Sequence, residues 1–295
     1  NREWGREILG RAVSSQLGAE LIARVRVADQ STLEQVIAGT AQAGEQWGQR
    51  RGSTRAQVLH SAAESIAARR AELIEVMASE TGKTISEGDV EVSEAVDFAN
   101  YYAERAHELD RVENARFVPS RLIVVTPPWN FPVAIPAGSV LAALAAGSGV
   151  ILKPAPQARR SAAVLVEALW AGGVPRDVLS LVDVEEGAFG QQLVAHPEVD
   201  RVILTGAWET AKLFRSWRPE LPLLAETSGK NAIVVTPSAD LDLAVADIVR
   251  SAFGHAGQKC SAASLVILVG SVGRSERFRR QLVDAVKTLR IGYAQ

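Results

Sequence analysis

The chain has 295 residues, enough for one large domain or two of ordinary size. Hydrophobic residues make up 47% and charged residues 22%, a balance typical of a globular protein and not of a disordered chain. The net charge of −2 argues against a nucleic-acid partner, and the single cysteine excludes an internal disulfide and is typical of a reducing cytoplasm.

The first hundred residues predict amphipathic helices, because apolar residues recur at helical spacing over 31–47, 53–81 and 91–109. Ser31 and Ser53 are candidate N-caps, and Gly82 is a candidate helix stop. The chain begins without methionine, and we expect it to be a piece of a longer protein.

The stretch 122–152 carries no charge and is long enough to suggest a membrane span. Four prolines and three glycines interrupt it, and such residues break a continuous helix. We therefore predict a strand, a turn, a buried helix and a second strand here, with no transmembrane segment.

From Arg121 onward, short β-branched runs alternate with helical segments. This alternation predicts an α/β fold with a parallel, Rossmann-type sheet and helices on both faces. Ligands of such sheets bind beyond the carboxyl ends of the strands. The segments to inspect are therefore 126–130, 153–157 and 205–209. After Trp217 the pattern restarts, and we place a domain boundary between 1–226 and 227–295, the latter being the start of a second α/β domain.

Cys260 lies in the polar, glycine-containing loop "GHAGQKCSA". The adjacent Lys259 favours the thiolate, which is the reactive form of cysteine. Two interpretations stay open at this point, a nucleophile and an inert small side chain. No CxxC pair or His/Cys cluster is present, so no metal site is predicted.

A nucleophilic cysteine needs partners, and two residues qualify. Glu226 ends the apolar run "LPLLAE" and is either a catalytic carboxylate or an ordinary strand-end charge. Asn130 in "TPPWNFP" is either an amide that stabilises an oxyanion or part of a simple turn. Lys153 in "LKPAP" suits a phosphate or a ribose hydroxyl, and "LTGAWET" has the strand, glycine turn and helix start that attract phosphate.

Together these segments resemble a known family. "PWNFP", "KPA", "TGAWE", "AETSGKN" and "GQKCSA" occur in the order and approximate spacing of the aldehyde dehydrogenase superfamily. Within it, "EVSEAVDFANYYA" and "SAFGHAGQKCSA" are similar to the pyrroline-5-carboxylate (glutamate-semialdehyde) dehydrogenases, above all to the module of bacterial bifunctional proline-utilisation enzymes. The resemblance covers the chain from about residue 30 onward.

The resemblance implies roles for individual residues. Cys260 would be the nucleophile, Glu226 the base that activates water, and Asn130 an oxyanion donor. The residues implied in cofactor binding are Thr126, Pro128, Trp129, Lys153, Thr205, Gly206, Ala207, Glu209 and Thr227. Those implied in substrate binding are Phe131, Lys259 and Ser261.

The implied activity is the oxidation of L-glutamate γ-semialdehyde to L-glutamate in proline catabolism, in the cytoplasm, with NAD as cofactor and NADP left open. The implied parent protein is a homo-oligomer or carries a fused proline dehydrogenase domain with FAD. The region 227–295 would be an incomplete catalytic domain, because the family's remaining catalytic half follows it. We therefore expect this piece alone to be inactive.

Two positions depart from the family pattern. Pro156 stands where the superfamily often has a glutamate that binds the ribose hydroxyls, and Ala207 with Trp208 stands where the glycine turn usually continues with serine. Alternatives therefore stay open: an aldehyde dehydrogenase for another semialdehyde, such as succinate semialdehyde, or a non-catalytic nucleotide-binding or scaffold module. An acyl-CoA-forming enzyme is disfavoured because it would not need Glu226.

Overall fold

The computed structural model describes residues 2–185 and 187–292. They form two compact units, one up to Glu226 and one from Thr227 onward. The helices of the first unit are α1 (Arg2–Ala12), α2 (Ala19–Arg24), α3 (Gln30–Gly48), α4 (Gly52–Ala68), α5 (Arg70–Thr81), α6 (Ile85–Leu109), α7 (Ala134–Ala145), α8 (Arg159–Ala171), α9 (Ala188–Ala195) and α10 (Trp208–Trp217). Its strands are β1 (Leu122–Thr126), β2 (Gly149–Leu152), β3 (Leu179–Leu181), β4 (Arg201–Gly206) and β5 (Leu223–Thr227).

The five strands form one sheet in the order β3-β2-β1-β4-β5. β1 runs parallel to both β2 and β4, and Val125 pairs with Leu152 on one side and with Ile203 on the other. The predicted parallel sheet is confirmed. Because the chain winds outward from β1 in both directions, the order reverses between β1 and β4, where α/β sheets bind ligands.

Helices cover both faces of this sheet, as the sequence predicts. Along β1, Ile123 and Val125 pack in a core with residues of α4 to α8. Leu122 and Val124 point the other way, into a second core with residues of α3, α9 and α10. The uncharged stretch 122–152 is thus a strand, a buried helix and a strand, and none of the helices in the described part of the chain is long and apolar enough to cross a membrane.

The two predicted serine caps are wrong. The N-cap of α3 is Asp29, whose carboxylate accepts the backbone N–H of Thr32 at 2.8 Å. The N-cap of α4 is Arg51, which offers no side-chain acceptor. The carboxylate of Asp110 instead accepts the N–H groups of Gly52 and Ser53 at 2.6 and 2.9 Å.

The predicted helix over 53–81 is two helices, α4 and α5, because the chain leaves helical geometry at Arg69 (φ −94°, ψ 18°). The predicted stop at Gly82 is confirmed. This glycine adopts φ +71°, the left-handed conformation that favours glycine at a helix end.

The second unit is a small βαβ arrangement of β6 (Asn231–Val235), α11 (Leu241–Phe253) and β7 (Ala263–Leu268), followed by α12 (Glu276–Lys287). β6 and β7 pair in parallel. One face of this two-stranded sheet packs against the two helices through a core around Val235, Ile248 and Phe278.

Candidate active site

The three segments singled out from the sequence lie at one edge of the five-stranded sheet. The Lys153 N–H, just after β2, donates to the carbonyl of Val125 in β1 at 3.0 Å. The Thr126 hydroxyl at the end of β1 donates to the carbonyl of Ile203 in β4 at 3.2 Å. The ends of β1, β2 and β4 are therefore adjacent, on both sides of the switch between β1 and β4.

The residues implied in cofactor binding lie along this edge and differ in solvent exposure. Thr126 is buried, whereas Pro128, Trp129, Lys153, Thr205 and Gly206 are half-buried and Ala207 and Glu209 are exposed. Ala207 is the N-cap of α10 and has no side-chain cap, which suits a helix start that receives a phosphate. Trp208, the first residue of α10, is 56% exposed.

Asn130 and Phe131 lie in the turn between β1 and α7, and both are half-buried. A buried carboxylate from α6 anchors the start of α7, because Glu91 accepts the N–H groups of Val133 and Ala134 at 3.1 and 3.0 Å. Glu91 was not predicted from the sequence, because a glutamate in an amphipathic helix is ordinarily a partly solvated surface charge.

The carboxyl of Glu94 lies one turn along α6 from Glu91, and its pKa is raised. Burial raises the pKa of Glu94, and repulsion by Glu91 and Asp97 raises it further, while Lys83 acts in the opposite direction.

Glu226 lies in β5, next to β4 at the edge of the same sheet. Its side chain and that of Leu224 are exposed. Thr227, the last residue of β5, begins the second unit. The first unit thus brings together Asn130, Lys153, the 205–209 segment and Glu226 on one sheet, while Cys260 belongs to the second unit.

Cys260 follows a short 3-10 turn over Gly254–Gly257 at the end of α11. The backbone of this turn is unusual, because His255 and Ala256 both have φ of +52°, a left-handed region that side chains with a Cβ rarely adopt. The Cys260 thiol is exposed, and Ser261 beside it is exposed as well.

Asn231 holds the cysteine loop and was missed by the sequence analysis. Its side-chain amide, at the start of β6, donates to the carbonyls of Cys260 at 2.6 Å and Ala262 at 3.3 Å. The only signal in the sequence is an asparagine that follows "SGK" and precedes an apolar strand. The nucleophile candidate is therefore tied by hydrogen bonds to the neighbouring strand.

Within residues 2–185 and 187–292, the structure forms no group of three His, Cys, Asp or Glu side chains that could hold a metal ion.

The family model described as "Aldehyde dehydrogenase family" matches residues 11–295. The chain belongs to the aldehyde dehydrogenase family. The resemblance found in the sequence motifs is thus confirmed, and so is the aldehyde dehydrogenase-like fold. Enzymes of this family use NAD or NADP.

Three similar proteins illustrate the match. The chain is 36% identical over 267 residues to 1-pyrroline-5-carboxylate dehydrogenase 2 of Bacillus subtilis, covering 84% of this chain and 52% of the relative. It is 53% identical to Proline Utilization A (PutA) of Corynebacterium freiburgense, with a TM-score of 0.85 over 91% of this chain and 27% of that structure. The NADP-dependent glyceraldehyde-3-phosphate dehydrogenase of Bacillus halodurans, solved with NADP, is 26% identical, with a TM-score of 0.84 over 90% of this chain and 59% of that one.

The chain spans about half the length of the first of these curated relatives and a smaller share of the PutA structure.

Proposed function

We propose that the full-length protein oxidises L-glutamate γ-semialdehyde, the open form of pyrroline-5-carboxylate, to L-glutamate. The observation that carries this proposal is the similarity over 267 residues to a relative named 1-pyrroline-5-carboxylate dehydrogenase. The retention of Cys260, Glu226 and Asn130 in the family's motifs supports a catalytic chain over a non-catalytic one.

The proposed chemistry begins at Cys260. Its thiolate adds to the aldehyde carbon, and the Asn130 amide together with the Cys260 N–H stabilises the resulting oxyanion. Lys153 and the start of α10 would hold NAD(P), which would supply the acceptor for the hydride that leaves this carbon. The product is a thioester on Cys260. Glu226 then removes a proton from water, which attacks the thioester carbonyl and releases the carboxylate and the cysteine thiol.

In this proposal the edge of the five-stranded sheet holds the cofactor. The capless start of α10 after Gly206 fits a pyrophosphate, and Lys153 fits an adenosine ribose hydroxyl. Pro156 provides no carboxylate for that ribose, so we expect weaker discrimination between NAD and NADP than a glutamate there would give. NAD is the cofactor we propose.

Two further parts of the proposal concern the full-length protein. Its similarity to PutA, whose Escherichia coli relative is named a bifunctional protein, supports a fused proline dehydrogenase domain carrying FAD. We also propose a reducing cytoplasmic location, because catalysis needs Cys260 as a free thiolate.

A second candidate is a non-catalytic nucleotide-binding module. Pro156 and Ala207 favour it, since both replace side chains with which family members commonly bind the cofactor.

The test is NADH formation by the full-length protein with glutamate semialdehyde, succinate semialdehyde and a simple aliphatic aldehyde in parallel. We expect a clear preference for glutamate semialdehyde. Preference for succinate semialdehyde would contradict the substrate, and no NADH from any aldehyde by a folded protein would favour the non-catalytic candidate.

Two variants test the chemistry in the same assay. Cys260→Ala should abolish NADH formation while leaving NAD binding nearly unchanged, because the implied cofactor residues except Thr227 lie in the first unit. Glu226→Gln should give a single-turnover burst of NADH followed by little turnover, since hydride transfer precedes hydrolysis. Uniform slowing without a burst would remove Glu226 as the hydrolytic base.

A further inference from the structure

A buried ion pair lies next to the turn that carries Asn130. Lys83 directly follows the glycine that ends α5, and Glu91 lies in the second turn of α6. Their side chains are each 2% exposed, and the Lys83 ammonium contacts one carboxylate oxygen of Glu91. A pair so completely removed from water stabilises a fold weakly, because the cost of desolvating two charges offsets their attraction.

Both members of the pair contact the turn between β1 and α7. The other oxygen of Glu91 accepts the N–H groups of Val133 and Ala134, where α7 begins. The Lys83 nitrogen lies 4.3 Å from the centre of the Phe131 ring, within the range of a cation–π contact. The pair therefore touches the residue after Asn130 and the two residues at which the turn becomes helix.

The start of α7 needs an external acceptor. Its N-cap is Val133, which has no side-chain oxygen, so its first N–H groups have no local cap. A negative charge at this end is also favoured by the helix dipole. Glu91 meets both requirements, and Lys83 holds Glu91 in the orientation that meets them.

The opposite end of α7 is held as well. The Trp47 indole N–H donates to the Leu144 carbonyl at 2.8 Å, and the Arg55 Nε donates to the Ala145 carbonyl at 3.0 Å. With its last turn tied to α3 and α4, the helix cannot slide along its axis to compensate for a change at its first turn. A shorter or neutral side chain at position 91 would therefore displace the 130–133 turn itself.

We infer that the Lys83–Glu91 pair fixes the turn between β1 and α7 and so sets the location and orientation of the Asn130 side-chain amide. The inference rests on the proposed function, in which that amide stabilises the oxyanion. Lys83 and Glu91 are positioning residues, because they act on the Asn130 amide through the turn and not on the substrate itself. A displacement of about 1 Å in such a group is enough to lower a rate about 100-fold.

The test is a double-mutant cycle in the full-length protein between Glu91→Asp, which keeps the charge but shortens the side chain by one methylene, and Asn130→Ala. We expect Glu91→Asp to lower kcat about 10- to 100-fold with little change in KM. In the Asn130→Ala background the same substitution should have no further effect on kcat. An equal loss in both backgrounds, or no loss in either, would overturn the inference.

Asp110→Asn is the matched control. Asp110 also lies at an end of α6, and it also caps a distant helix with its carboxylate, but that helix is α4, which carries none of the proposed site residues and whose Arg55 contacts α7 at the end opposite the 130–133 turn. This variant should lower stability without changing kcat. If it lowers kcat as much as Glu91→Asp does, the effect is one of general stability and the inference fails.

Amide hydrogen exchange separates this inference from the proposed function. In Glu91→Asp, the N–H groups of Val133 and Ala134 should lose protection while those of β1 keep theirs. Unchanged protection would overturn the inference whatever the kinetics. If the wild type oxidises no aldehyde but protection is lost as expected, the proposed function fails and the pair still holds the turn.

Should Glu91→Asp fold poorly, Lys83→Met combined with Glu91→Gln removes both charges without leaving either one buried alone. We expect this variant to show the same loss of kcat and the same absence of further loss in the Asn130→Ala background. Wild-type kcat in this variant would overturn the inference.

Discussion

The two units of the chain differ in how their sheets are covered. In the first unit all five residues of the central strand β1 are buried, because helices pack on both faces. In the described part of the second unit, residues 227–292, only one face of the β6–β7 pair is packed. Val234, Leu265 and Ile267 on the other face are 58%, 54% and 44% exposed.

This difference in covering predicts a difference in the free energy of unfolding of the two units. A parallel sheet with both faces covered buries enough apolar surface to hold itself together. Two strands with one covered face are marginal by themselves, since a small sheet needs more strands or more packing to be stable. Within the residues of this chain, the unit that carries the thiol is therefore the weaker one, and the unit that carries the edge of the five-stranded sheet is the stronger.

The largest test of this contrast is to separate the units. A chain of residues 1–226 should unfold cooperatively in urea, followed by circular dichroism, because both of its cores lie within those residues. A chain of residues 227–295 should show no cooperative transition, because its core has five buried residues. Cooperative unfolding of the 227–295 chain would break the comparison, as would failure of the 1–226 chain to fold.

Features that depend on neighbouring residues could be predicted from the sequence, whereas contacts between residues far apart in the chain could not. The sheet, its helices and the stop at Gly82 follow from periodicity and from the freedom of glycine, which act over a few residues. The carboxylates that cap α4, α7 and α8 belong to Asp110, Glu91 and Glu80. They lie 58, 43 and 81 residues along the chain from the N–H groups they accept. Local rules favoured Ser53 as a cap, and no local rule could identify Asp110.

The candidate site shows the same limit. Motif resemblance singled out Cys260, Glu226 and Asn130 because the chemistry of each residue type is recognisable in its own loop. Asn231 and the Lys83–Glu91 pair were missed because their partners are brought near by tertiary packing. Supporting contacts are visible only once the fold assembles them.

A smaller effect is expected from the hydrogen bonds that fix the Cys260 loop in the second unit. Asn231→Ala removes the amide that donates to the Cys260 and Ala262 carbonyls, so the loop should sample more conformations. We expect the rate of Cys260 alkylation by iodoacetamide to change several-fold in the full-length protein. Asn231→Asp, which has nearly the same shape but no donor at that position, should behave like Asn231→Ala. An unchanged rate in both variants would show that other contacts hold the loop. Mass spectrometry of the peptide that carries Cys260 confines the measurement to this thiol, which is the single cysteine of this chain.

The smallest expected effect is a pH dependence of the unfolding free energy of the first unit. The Ser53 and Gly52 N–H groups hold the pKa of Asp110 below its usual value, the Ser53 contact being the larger cause. A carboxyl with a lowered folded-state pKa contributes stability above its unfolded pKa of about 3.9 and loses that contribution as the pH falls through the folded value. Asp110→Asn keeps one acceptor oxygen and removes the charge, so at pH 7 it should cost less unfolding free energy than the about 1 kcal/mol lost when a cap is replaced by alanine.

That cost should shrink as the pH falls below about 4, because the wild-type carboxyl then becomes protonated, first in the unfolded chain and at lower pH in the folded protein. Urea unfolding of the 1–226 chain at a series of pH values measures it. Asp240→Asn is the counterpart in the second unit, where Asp240 caps α11 by accepting the Leu243 N–H at 3.1 Å. Since Asp240 lies outside residues 1–226, its substitution in the full chain should leave the transition of the first unit where it is. An Asp110→Asn cost that stays constant with pH would mean that packing, and not the carboxylate charge, accounts for the contribution of Asp110.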